Sequence, residues 1–142
     1  MGNENFYEAA IRHWSDGKIL EQQEEYDNAV CMQGFAAECA LKKILERTNS
    51  AGGIKKYSHF GDILFEDIKL MLSGDIGLTT MIDPACGLRL STISLPEVLF
   101  QMHPERRYFK DGIYSKIDAE ECRNVVERLI KEMVYMRLDG YI

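Results

Sequence analysis

The stretch Tyr26 to Leu45, YDNAVCMQGFAAECALKKIL, constrains the fold of this chain more than any other. It has the apolar spacing of one long helix, and its small residues stand where a close helical neighbour requires them. Ala29, Ala36, Ala37 and Ala40 let backbones approach, while Met32, Phe35, Leu41 and Ile44 supply bulk. Glu38 and Lys42 lie four apart in the favourable acid-before-base order. Asp27 is the expected N-cap, and the helix is expected to run to about Arg47, before Asn49, Ser50, Gly52 and Gly53 break it.

Other segments carry the same signal. Asn5 and Glu8 have capping-box spacing ahead of Tyr7, Ala10, Ile11, Trp14 and Gly17, which predicts a first amphipathic helix to about Gln22. Ser58 is placed to cap a third helix through about Leu72, closed by Ser73-Gly74. A shorter helix is expected around Pro96 to Met102, since Pro suits a first turn. The last helix is the clearest: Asp118 is expected to cap it with Glu121 in the reciprocal position. Cys122, Val125, Val126, Leu129, Ile130, Met133 and Val134 then form one apolar stripe, and Asp139-Gly140 ends it. Residues 74–95, broken by Gly74, Gly77, Pro84 and Gly87, read as a long irregular connection, with Leu88 to Leu95 loosely alternating.

These elements predict an all-α chain, an up-and-down bundle of four to five helices. A length of 142 residues fits a single domain spanning 1–142, and roughly two-thirds of the unfolded surface can be buried at this size. The broad apolar stripes, with Tyr7, Trp14, Met32 and Phe35, exceed what one small bundle covers and predict a homodimer. No apolar run reaches membrane-spanning length, and the acidic N-terminus lacks a signal pattern, so a cytoplasmic protein is expected. Cys31, Cys39, Cys86 and Cys122 form no CxxC pair, and within helices they read as small hydrophobes. No phosphate-binding Gly-rich loop, zinc spacing, GxSxG elbow or EF-hand loop occurs, so no cofactor and no metal are expected.

The net charge of −6 is unevenly distributed. Residues 1–30 carry seven acids and two bases; residues 42–57 carry five bases and one acid. Between 103 and 116, His103, Arg106, Arg107, Lys110 and Lys116 outnumber Glu105 and Asp111. A phosphate-bearing partner would have to meet these local basic patches.

In order along the chain, these features resemble a HEPN domain, the helical bundle named for nucleotide binding in higher eukaryotes and prokaryotes. Tyr26, Asp27 and Ala29, followed by Ala36, Glu38, Ala40, Leu41, Lys42 and Leu45, resemble the family's second helix. Ser58-His59 ahead of Ile63 and Leu64 resembles the start of its third. Pro104-Glu105-Arg106-Arg107-Tyr108 resembles an R-Y element before the final helix, and Asp118 to Ile130 resembles that helix. The resemblance implies a dimeric protein that binds a nucleotide, RNA or a protein through a dimer cleft. It also implies a nucleotidyltransferase-like partner, within a toxin–antitoxin or phage-defence pair.

Many members of that family are metal-independent ribonucleases with an Arg-x4-6-His motif near the final helix. This chain departs from the pattern. Its histidines are His13, His59 and His103, and none follows Arg106 or Arg107. The chain is therefore read as a binding protein, with Arg106, Arg107, Tyr108, Glu38 and Lys42 as binding residues. Two alternatives stand beside that reading. One is an active ribonuclease toxin using the reversed cluster His103, Arg106 and Arg107, with Arg stabilising the phosphorane and His exchanging protons. The other is a purely structural dimerisation module. If the cluster has only a structural role, Arg107 anchors the preceding loop to helix acids and Tyr108 packs in the core; Glu38 and Lys42 are an ordinary helix ion pair if exposed and mark a pocket or a dimer seam if buried.

Overall fold

Asn5 opens helix α1, Phe6–Gln22, its side-chain oxygen accepting the Glu8 N–H at 3.0 Å, as its place ahead of the apolar series predicts. The computed structural model describes residues 5–44, 89–90, 92–140 and 142. The expected third helix from Ser58, the residues beyond Ile44 that would extend the second helix to Arg47, most of the 74–95 connection, His59 and Cys86 lie outside the described residues.

Helix α1 ends in a Schellman-type turn. The Glu25 N–H donates to Leu20 O and the Glu24 N–H to Glu21 O, with Glu24 in the left-handed region at φ 64°. That position usually holds glycine, because a side chain there crowds the backbone. Helix α2, Tyr26–Ile44, follows at once. Asp27 is not its N-cap but lies in its first turn, and its carboxylate reaches across the fold. It accepts the Gly112 and Tyr114 N–H groups, each at 2.7 Å.

The alanines do what their size allows. Ala29, Ala36, Ala37 and Ala40 are buried with Leu41 and Ile44, while Met32 and Phe35 are only half-buried. Helix α2 is covered on most of its circumference and packs against both α1 and the last helix. A rod enclosed this way needs small side chains wherever another backbone comes near.

Of the described residues in the alternating stretch before Pro96, 89–90 are helical and 93–95 irregular, and the described residues contain no strand. Helix α3 is short, Glu97–Phe100, and a 3₁₀ turn spans Glu105–Tyr108. Helix α4 runs Lys116–Leu138. Its cap is Ser115 rather than Asp118. The Ser115 Oγ accepts the Asp118 N–H at 3.2 Å, and the Asp118 carboxylate accepts the Ser115 N–H at 3.0 Å. Gly140, at φ 84°, lies just beyond the helix.

The core is built where α1, α2 and α4 meet, with Phe100, Leu99, Leu90, Leu129, Met133 and Met136 fully enclosed. Tyr7 and Trp14 lie partly buried against it. Arg123 of α4 clasps Glu21 of α1 through Nε at 2.9 and 3.1 Å, and Arg137 lies 4.4 Å over the Tyr7 ring. Among the described residues, no helix is long and apolar enough to cross a membrane. The described residues therefore form an all-α helical bundle.

Candidate functional site

The segment joining α3 to α4 carries the His–Arg cluster, and the 3₁₀ turn sets its orientation. Within that turn Arg106 is buried while Arg107 and Tyr108 face out, and His103, two residues before the turn, is buried beside Arg106.

Arg106 is 3% exposed. Its guanidinium donates to the carbonyls of Val98 and Leu99 in short contacts, to Gln101 O at 3.2 Å and to Val30 O at 3.4 Å. Three of these acceptors lie at the C-terminal end of α3, where the last carbonyls have no helical donor and a cation suits the dipole. The fourth belongs to α2, so one side chain ties the α3 turn to the central rod. Arg106 Nε is buried without an acceptor, and the guanidinium carbon lies 5.5 Å from the Tyr114 ring centroid.

His103 has a fully buried side chain. Its Nε2 lies 3.5 Å from Glu38 Oε1, and the Glu38 side chain is 3% exposed. The Phe35 ring meets His103 edge-on at 4.6 Å, and Phe100 stands 6.0 Å away. Phe35 also lies near His13, 5.9 Å between ring centroids. Burial pushes the His13 pKa below its ordinary value, helped by Arg12 and opposed by Asp16 and Glu38.

Gly34 makes this arrangement fit. A Cβ there would lie 2.5 Å from Arg106 Nη2, 2.9 Å from His103 Nδ1 and 3.1 Å from Leu99 O. The missing side chain is the notch into which the cluster closes. A glycine inside an otherwise strong helical pattern is the signal that could have found it.

The structure thus brings Glu38, His103 and Arg106 together and leaves Arg107 and Tyr108 facing outward. Arg107 is exposed, 4.9 Å over the Tyr108 ring, and Tyr108 is 77% exposed. Tyr108 therefore does not pack in the core, and the inward anchor is Arg106, bound to carbonyls rather than helix acids. Lys42 is half-buried, 5.4 Å over the Phe6 ring. Burial raises the thiol pKa values of Cys31, of Cys39 to about 11 and of Cys122 to about 12, which keeps these thiols protonated at neutral pH. Among the described residues, no group of three or more His, Cys, Asp or Glu side chains is arranged to hold a metal.

A groove of about 500 Å³ opens beside the cluster, between α3 and the first turns of α4. Val98, Ile113 and Tyr114 give it apolar walls, and Glu97, Asp118 and Glu121 give it three carboxylates. No sequence pattern announces it, because its walls come from elements separated along the chain. Comparison with protein-family models, with curated proteins and with solved structures returned no match.

Proposed function

We propose that this chain is a HEPN-like bundle acting as a non-catalytic binding protein, a cytoplasmic homodimer that engages a protein partner. The observation that carries the non-catalytic reading is the state of its His–Arg cluster. A ribonuclease needs an arginine free to meet a phosphate and a histidine within reach of the ribose hydroxyl. Arg106 is instead engaged by four backbone carbonyls, and the His103 side chain is enclosed by Glu38, Phe35 and Phe100. The proposed partner, a nucleotidyltransferase-like protein in a toxin–antitoxin or phage-defence pair, rests on the resemblance of the helix motifs.

Labelled single-stranded RNA incubated with the purified protein is expected to stay intact. Cleavage by the wild type that disappears in Arg107→Ala would overturn this reading in favour of a ribonuclease. A second reading, RNA or nucleotide binding without cleavage, is favoured by the exposed Arg107–Tyr108 pair, a cation beside a stacking surface. Binding that weakens steeply with salt and is lost in Arg107→Ala would select it.

A further inference from the structure

We propose that two copies of this chain pair by a reciprocal exchange, the Arg107–Lys110 segment of each copy seated in the groove between α3 and α4 of the other. The inference deepens the reading above by naming the surface through which its dimer forms.

Five large apolar side chains are exposed between residues 102 and 117: Met102, Tyr108, Phe109, Ile113 and Ile117. A concentration of this kind on a small domain marks a contact surface. Within it, Arg107-Tyr108-Phe109-Lys110 sets two bases around two aromatic rings. The adjoining groove has the complementary character, with apolar walls from Val98, Ile113 and Tyr114 and carboxylates from Glu97, Asp118 and Glu121. Its volume of about 500 Å³ falls within the roughly 300–1,000 Å³ of sites that enclose a small organic body. Aromatic side chains entering it would be desolvated while their flanking bases meet the acidic rim.

The segment is anchored at both ends. Arg106 is pinned inward on one side, and on the other Asp27 accepts the Gly112 and Tyr114 N–H groups. Residues 107–111, the end of the 3₁₀ turn and the loop after it, are thus fixed at both ends, which reduces the ordering cost of binding. Segment and groove are neighbours along the chain, since Gln101 and Ile113, which bracket the loop in sequence, both line the groove. A segment and a groove of complementary character on each copy satisfy each other twice under a two-fold axis, giving a closed dimer rather than a chain of subunits.

The test is a charge exchange read by sedimentation equilibrium, with circular dichroism as the check on folding. Arg107→Glu with Lys110→Glu makes the segment acidic. Glu97→Lys with Glu121→Lys makes the groove basic; both positions are exposed, and Asp118 is left in place because it serves the α4 cap. The wild type is expected to sediment at twice the chain mass. Each variant alone faces like charge with like, and its dimerisation should weaken by about 100-fold or more. Mixed one to one, the two variants should form a heterodimer, because acidic segment then meets basic groove and basic segment meets acidic groove. A wild type that is monomeric at tens of micromolar overturns both the surface and the dimer, leaving the groove to a basic partner protein. Variants that remain dimeric alone, or that fail to pair when mixed, overturn the surface and leave the dimer standing.

Discussion

Replacing Gly34 with alanine sets two large effects against each other. Alanine in the interior of α2 is worth roughly 1 kcal/mol in helix propensity over glycine. Its Cβ, however, would stand 2.5 Å from Arg106 Nη2 and 2.9 Å from His103 Nδ1. No carbon is tolerated that close, so one partner must move. Arginine is flexible in principle, but here its guanidinium is tied to four carbonyls, and Leu99 O blocks the third direction at 3.1 Å. Overpacking costs about 1–3 kcal/mol, and a hydrogen bond lost from a charged donor about 1.5–3 kcal/mol. After subtracting the helical gain, Gly34→Ala should destabilise by about 1.5–5 kcal/mol, a large share of the roughly 5–15 kcal/mol that holds a domain together. Urea unfolding at a matched protein concentration would read this as a lower midpoint at unchanged slope. A variant as stable as the wild type, or more stable by the helical increment, would mean that the notch does not hold the cluster.

Glu24→Gly should stabilise by about 0.5–1 kcal/mol, since relief of the left-handed strain at φ 64° exceeds the added chain entropy, and thermal unfolding would register the rise. Asp27→Ala removes both 2.7 Å acceptors of the 112–114 loop and should cost about 1–3 kcal/mol; exchange of the Gly112 and Tyr114 amides should accelerate. Cys122 gives a pH prediction. Its thiol ionises near 12 in the folded chain against an ordinary 9.0, so the unfolded chain loses its proton first as pH rises. The contribution is intact below about pH 9 and falls between about 9 and 12, by about 1.4 kcal/mol per pH unit at most. The loss in urea midpoint from pH 8 to pH 10 should shrink in Cys122→Ala, and an unchanged loss would contradict the assignment.

Helix existence was legible in the residues; helix edges and turn phase were not. The alanine spacing of Tyr26 to Leu45 carries the enclosed rod, because only small side chains permit two neighbours at once. Asn5 caps α1 as its spacing suggests. Asp27 and Asp118 lie in first turns rather than at caps for a shared reason: an acid favours the cap and the first turn alike, so its presence locates a helix start only to within a turn. Ser115, three residues before Asp118, was the true cap. Arg106 and Arg107 are adjacent and chemically equivalent, and only the phase of the 3₁₀ turn decides which one is buried. The groove was invisible because its walls come from α3, the 112–114 loop and α4 together.

Nitrogen-15 side-chain NMR of the arginines would decide whether the His–Arg cluster belongs to the fold or to a substrate. One guanidinium, absent from the spectrum of Arg106→Lys, is expected to have Nη protons that exchange far more slowly at neutral pH than those of Arg107, Arg89 or Arg123. An Arg106 guanidinium that exchanges as freely as exposed Arg107, or that shifts on addition of RNA, would contradict it and reopen the cluster as a site of chemistry.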